Sequence, residues 1–290
     1  MITKAASGDT EHQVTSVPDS DQWEGLGTRV LSAAVLGCVV IALVYVGGLA
    51  FIVTVVVAAV LMAYEWTKIS GEDQPAYFLG GLALVVGTAV ALVGSGMNTA
   101  AVSVGLAGAL LLAVLAALQK RPYSWPALGV LYVGIPCASL VWLRGTDTVG
   151  MMVIFWSFSV VWATDIGAYA IGKTVGGPRL APRISPKKTW SGLIGGTLCG
   201  TTAGAVVAWI TELAPIETLA LLSFALTFAA HGGDLVESAF KRRFNVKDSS
   251  NLIPGHGGIL DRVDGLFFVW PAMVGAQFLH GEGFLPWVAR

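Results

Sequence analysis

Asp234, Glu237, Ser238, Lys241 and Arg242 fall at positions i, i+3, i+4, i+7 and i+8 of one segment. That spacing places side chains on one face of a helix and usually carries an apolar stripe. Here the stripe is polar on an otherwise apolar segment, so its face must look into water or onto partner groups. A connector follows, running from Lys247-Asp248 to Pro254-Gly255-His256-Gly257-Gly258, and then Asp261-Arg262-Val263-Asp264. Asp261 and Asp264 are three apart and share a face of a starting helix. Upstream, Asp165, Tyr169 and Lys173 are spaced four apart and line one helix face. The loop after them holds Arg179, Arg183, Ser185, Lys187, Lys188 and Thr189 among turn-forming residues.

One chemistry fits this set. Aspartates bind Mg²⁺ through one or two oxygens each, with substrate phosphates filling other positions. Lysines and arginines neutralise charge spread over phosphoryl oxygens. The glycine-rich Pro254–Gly258 turn lets backbone N–H groups approach an anion. Together these point to metal-dependent phosphoryl or nucleotidyl transfer at a membrane face. Plainer readings stand beside it. The charges can form a salt-bridge network closing a helix bundle, Asp165 can pair with Lys173, and the basic loop can serve topology and lipid contact alone. His256 can act as a base, orient a phosphate or cap the turn, and His231 reads as a hydrogen-bonding group within the bundle.

The elements that carry these residues are membrane helices. Of 290 residues, 55% are hydrophobic and 12% charged, with mean hydropathy +0.73 and net charge −1. A soluble domain carries about 25% charge. The composition excludes an ordinary soluble enzyme, a disordered chain, a fibrous repeat and a nucleic-acid binder with a basic face. Cys38, Cys137 and Cys199 are far apart in apolar runs and suggest neither a disulfide framework nor a zinc site.

A spanning helix needs about 20 mostly apolar residues. Nine candidates run over 29–46, 49–66, 76–97, 99–118, 127–143, 149–171, 191–211, 216–240 and 265–283, with Gly47-Gly48 parting the first two. Strand alternation is absent, so the expected fold is an all-α polytopic membrane protein. Nine spans put fifteen of the seventeen Lys and Arg residues on one side, leaving Arg144 and Arg290 on the other. The positive-inside rule makes the populated side cytoplasmic, with the N-terminus inside and the C-terminus outside. The expected organisation is a flexible cytoplasmic tail over 1–28, N-terminal transmembrane helices over 29–145 and a catalytic transmembrane region over 146–290. The polar start shows no basic lead into a short apolar core, so no cleaved signal peptide is expected. Gly196, Gly200 and Gly204 form a small-residue row that lets helices approach closely.

The segment from Ser238 to Asp264 resembles the signature of the phosphatidate cytidylyltransferases, the CDP-diacylglycerol synthases. Ser238, Lys241-Arg242, Lys247-Asp248, Pro254, His256-Gly257-Gly258, Asp261-Arg262 and Asp264 carry the likeness. Asp165 to Tyr169, Ser185 to Trp190 and Gly233 to Ser238 resemble further family motifs, with a departure at His231-Gly232. The likeness covers about 150–275, while the first four spans match only in being apolar. It implies that a phosphate oxygen of phosphatidate attacks the α-phosphorus of CTP, giving CDP-diacylglycerol and pyrophosphate. It further implies Mg²⁺, with a second metal ion as a variant, a funnel open to cytoplasm and lipid, and a homodimer in the cell inner membrane. On this basis Asp234, Asp261 and Asp264 are the expected metal ligands, with Lys241, Arg242 and His256 also catalytic. Expected substrate contacts are Asp165, Tyr169, Lys173, Ser185, Lys187, Lys188, Thr189, Ser238, Lys247, Asp248, Gly257, Gly258 and Arg262. Three alternatives are a lipid kinase or CDP-transferase acting on a polyprenol-type lipid, a transporter, and a non-catalytic scaffold.

Overall fold

The computed structural model describes residues 21–70, 75–120, 124–253 and 257–280. Ten helices and one hairpin follow in chain order: α1 Asp21–Val46, α2 Gly48–Ile69, α3 Ala76–Gly94, α4 Asn98–Leu118, α5 Ser124–Arg144, α6 Thr148–Thr174, β1 Arg179–Ala181, β2 Ser185–Thr189, α7 Trp190–Thr211, α8 Ile216–Arg243, α9 Leu260–Val263 and α10 Leu266–His280. Among the described residues, the seven helices α2 to α8 are long and apolar enough to cross a membrane. Ala34–Val46 and Leu266–Leu279 are shorter apolar helices, at the places of the first and ninth expected spans. Most of the expected tail, His256 and the last ten residues lie outside the described residues.

The chain reverses between α1 and α2 at Gly47 and Gly48, whose φ angles are 63° and 54°. Only glycine adopts that region without cost. Buried Arg144 fills the space a Gly47 side chain would need. Its Nε donates to the Val44 carbonyl at 2.7 Å and its Nη1 to the Asp147 carbonyl at 3.1 Å. One guanidinium thus ties the end of α1 and the end of α5 to the start of α6. Asp147 itself caps α6, accepting from the Gly150 amide at 2.7 Å.

The glycine row does what its spacing suggests. α7 lies between α6 and α8, and a Cβ on Gly196 would stand 2.7 Å from the Thr164 carbonyl. One on Gly200 would overlap Thr164 and stand 2.7 Å from Thr227 Cγ2, and one on Gly204 would overlap Ser223. With the apolar driving force absent in lipid, such contact and buried hydroxyl bonds hold helices together. Trp156 Nε1 donates to Ser223 Oγ at 2.9 Å, and Trp270 Nε1 to Ser157 Oγ at 3.2 Å. The consequence is positional: the end of α6, the start of α7 and the last turns of α8 meet at one end of the bundle.

The basic loop is more ordered than a turn-rich sequence suggests. β1 and β2 pair antiparallel, with Arg179 opposite Thr189 and Ala181 opposite Ser185. The Trp190 amide donates to the Pro178 carbonyl at 3.1 Å, closing the hairpin onto α7. Thr189 is buried and caps α7, its Oγ1 accepting from the Gly192 amide at 3.1 Å. Arg242 Nε, from the end of α8, donates to the Ile184 carbonyl at 3.4 Å and ties the hairpin tip to that helix.

Candidate active site

Between α6, the hairpin, α7 and α8 lies a cavity of about 620 Å³. Asp165, Tyr169 and Lys173 line it from α6, Lys187, Lys188 and Thr189 from the hairpin, and Asp234 from α8. Seven of the residues expected from sequence thus share one cavity, joined by Arg179 and His231. Lys188 makes an ion pair with Asp234. Ser238 Oγ, one turn on, donates to Asp234 Oδ1 at 3.3 Å. Lys173 does not pair with Asp165. Its Nζ donates to Tyr169 Oη at 3.3 Å and sits 5.5 Å from that ring's centroid. Asp165 instead has Asp264, Asp234 and Lys188 as electrostatic neighbours. Buried His231 packs against Gly196 of α7 and also lines the cavity, its Nε2 without a partner among the described residues.

A second knot lies beside the cavity, on the signature segment. Lys241 Nζ donates to Asp261 Oδ1 at 2.7 Å and to buried Glu237 Oε1 at 3.1 Å. Asp261 Oδ2 accepts from the Ser249 amide, Ser249 Oγ and the Gly258 amide, each at 2.9 Å. Burial opposes the charge on Asp261, and Lys241 with the Gly258 and Ser249 amides outweighs it, holding the carboxyl below its ordinary range. Both oxygens of Asp261 are therefore committed to protein donors. Asp264, one helical turn on, differs: burial first and the Asp234 carboxylate next push it up to about 6. Its Oδ1 accepts from the Gly265 amide at 2.8 Å.

Magnesium keeps several waters and takes one or two protein carboxylates plus phosphates, so a dedicated cage is not its requirement. Among the described residues no three His, Cys, Asp or Glu side chains form such a cage. Asp234 and Asp264 are carboxylates that repel each other beside a cationic cavity, and that donor set suits a hard cation. Asp261, the third expected ligand, braces Lys241 in this structure. Arg242 turns to the hairpin, and Ser185 lies within β2 rather than among the residues lining the cavity. Lys247, Asp248 and Arg262 are exposed outside the cavity. Gly257 adopts φ 79° and its carbonyl accepts from the Ile253 amide at 2.9 Å, so it shapes the turn. His256 lies outside the described residues.

One participant went unnoticed in the sequence. Glu65, on α2, is fully buried and accepts hydrogen bonds from the signature segment itself. A lone carboxylate inside an apolar span is costly and was the available signal.

Comparison with known proteins agrees with this geometry. Residues 27–279 match the model of the cytidylyltransferase family. A phosphatidate cytidylyltransferase of Brucella melitensis is 41% identical over 242 residues, covering 83% of this chain and 89% of that protein. One from Bacillus subtilis is 39% identical over 175 residues, 58% of this chain and 65% of that protein. One from Staphylococcus haemolyticus is 43% identical over 147 residues, 50% of this chain and 55% of that protein. With the cationic cavity, the carboxylates and the matching signature in place, the chain belongs to the cytidylyltransferase family and, within it, to the phosphatidate cytidylyltransferases.

Proposed function

We propose that this enzyme transfers CMP from CTP to phosphatidate at the cytoplasmic face of the cell inner membrane, giving CDP-diacylglycerol and pyrophosphate. The observation that carries this reading is the Lys188–Asp234 pair in a cavity also lined by Lys173, Arg179 and Lys187. A carboxylate bound to a cation inside a basic cavity is a place for polyphosphate with its counter-ion. Exposed Ile166 and Tyr169 flank it on α6, so a lipid and a water-soluble nucleotide can meet there. The cytoplasmic face follows from the sidedness of the basic residues. Arg144 binds at the opposite end of the bundle, where α1 and α5 finish and α6 begins.

The reaction forms one P–O bond and breaks another. A phosphate oxygen of phosphatidate attacks the α-phosphorus, and the bond to the β-phosphate's bridging oxygen breaks as pyrophosphate leaves. The attacking group is already anionic, so no side-chain base is required. Lys173, Arg179, Lys187 and Lys188 hold the anions against their mutual repulsion. Asp234 and Asp264 would hold Mg²⁺, with Asp165 beside them, while Asp261 keeps Lys241 in place. When bound, the metal neutralises charge developing on the phosphoryl oxygens. The preference for cytidine rests on family membership. The family resemblance also implies a homodimer, which mass determination of the solubilised protein tests.

Purified protein with labelled CTP, phosphatidate and Mg²⁺, followed by lipid extraction, should yield label in CDP-diacylglycerol. ATP with a lipid alcohol should yield nothing. The reverse pattern would make the protein a lipid kinase.

A further inference from the structure

Helix α9 begins at Leu260, and its N-cap position is Ile259, whose side chain offers no acceptor. The first amides of any helix need partners, and the N-cap side chain supplies none to Ile259 or Leu260. Glu65 supplies them from 194 residues away. Its Oε1 accepts from the Ile259 amide at 2.8 Å and from Ser250 Oγ at 2.6 Å, and its Oε2 accepts from the Leu260 amide at 2.8 Å. Three donors converge on one carboxylate that is 0% exposed, and no cation pairs with it among the described residues. Three bonds to the backbone and hydroxyls of one segment are more than bundle packing requires.

The same segment is gripped from its other side. Asp261 takes Ser249 and the Gly258 amide, while Glu65 takes Ser250, Ile259 and Leu260. A side chain at Gly258 would collide with both Ser249 Oγ and Glu65. The neighbouring Trp66 anchors α2 firmly: its Nε1 donates to the Trp125 carbonyl at 3.0 Å, and its ring meets Phe240 edge-on at 5.2 Å. Phe240 precedes Lys241. A fixed α2 therefore sets α9, α9 sets Asp261, and Asp261 sets Lys241.

We propose that Glu65 is a positioning residue for the transfer reaction, an N-cap donated by α2 that holds the signature segment so that the Asp261–Lys241 pair is fixed beside the cavity. This gives the N-terminal helices a part in the site that their apolar composition does not announce. The kinetic part rests on the transferase reading above, whereas the ordering of residues 249–253 and 257–260 stands apart from it.

The test uses the full-length protein in detergent. Glu65→Gln keeps the shape but turns an amide NH₂ toward a backbone donor. Hydrogen exchange at 249–253 and 257–260 should quicken by roughly tenfold or more while α6 and α7 keep wild-type exchange. The kcat for CDP-diacylglycerol synthesis should fall by about 10- to 100-fold, with KM for CTP changed by less than about threefold, because a misplaced group costs turnover more than encounter. Ser250→Ala removes one of the three donors, preserves the fold, and should give the same pattern at roughly a third of the logarithmic size. If Glu65→Gln does not fold, Ser250→Ala carries the decision. Unchanged exchange in 249–253 and 257–260 would overturn the proposal, and so would a loss spread evenly over every helix. Quickened exchange with unaltered kcat would overturn the positioning role while leaving the cap. Absence of activity in the wild type would instead count against the transferase reading.

Discussion

A buried arginine and a partly buried lysine sit at opposite ends of the bundle and are satisfied in opposite ways. Arg144 is 5% exposed and is held by neutral carbonyl oxygens, chiefly those of Val44 and Asp147. Lys241 is held by two carboxylates, Glu237 and Asp261, with Asp234 and Asp264 nearby. Carbonyls at the end of a helix carry partial negative charge, and one guanidinium fork answers several at once. At the Lys241 end several carboxylates crowd together, and Asp264, buried beside Asp234, is pushed up to about 6. One end satisfies a single cation with fixed carbonyls, and the other gathers carboxylates and cations around a cavity.

The largest effect should come from removing those carboxylates. Asp234→Asn and Asp264→Asn should each lower turnover by about a thousandfold, the several kcal/mol a metal-held charge supplies in the transition state. Their effect on stability separates function from scaffold. Asp264 binds its proton more tightly folded than unfolded, so stability of the metal-free protein falls as pH rises from 3.8 to about 6. Asp264→Asn should therefore unfold at an equal or higher temperature above pH 6 while being inactive. Asp261 runs the other way. Its lowered pKa gives stability that is present above the unfolded value and lost as pH falls through the folded one. Thermal melts of wild type, Asp264→Asn and Asp261→Asn across pH check both signs. A destabilised Asp264→Asn at neutral pH would break the contrast.

Next in size are the two cations. Lys241→Met leaves the Glu237 and Asp261 carboxylates buried without their partner, which costs about 3–5 kcal/mol. Arg144→Met leaves neutral carbonyls unpaired, at about 1–3 kcal/mol. Activity per folded molecule should survive Arg144→Met and be lost in Lys241→Met, read by comparing denaturation midpoints with turnover. Lys241→Arg sharpens the point, since it keeps charge but not shape. The planar fork cannot meet Glu237 and Asp261 as a point charge does, so activity should still drop.

How far the sequence revealed this depends on how local each signal is. Hydropathy fixes the long helices because burial in lipid is a property of a stretch. The polar stripe of α8 and the row of Gly196, Gly200 and Gly204 were legible because their spacing is helical. Lys188 and Asp234 were each expected, but their pairing joins a hairpin to a distant helix, and no local pattern encodes it. The hairpin itself was read as a turn-rich loop, because Pro178 and Pro186 exclude helix while saying little about pairing. The family resemblance implies that Asp261 is a metal ligand, and it is silent on the side chain's contacts within the protein. The two Asp261 oxygens are occupied by groups from α8 and the connector, which only the fold brings there. Glu65 stands out as a carboxylate in an apolar span, but its partners are not legible, because they are mostly backbone amides and every residue except proline has one.

The smallest expected effect distinguishes two adjacent lysines. Lys187 and Lys188 look alike in sequence, and strand alternation sends them to different surroundings. Lys188 is 21% exposed and binds Asp234, whereas Lys187 lies exposed on the cavity rim and offers its carbonyl to Arg179 Nη1 at 3.2 Å. That carbonyl is backbone, so Lys187→Ala leaves the bond intact and removes only a solvent-screened charge, worth about 0.2–1 kcal/mol. A rise in the KM for CTP or phosphatidate of about two- to fivefold should follow, with kcat unchanged and the difference fading as salt is raised. Lys188→Ala removes the partner of the carboxylate proposed to hold metal, so it should change kcat as well and resist salt. Steady-state kinetics of both variants at low and high ionic strength decide it. Identical salt-sensitive behaviour would mean that the Lys188–Asp234 pair is another surface contact and that the cavity's electrostatics rest on the rim alone.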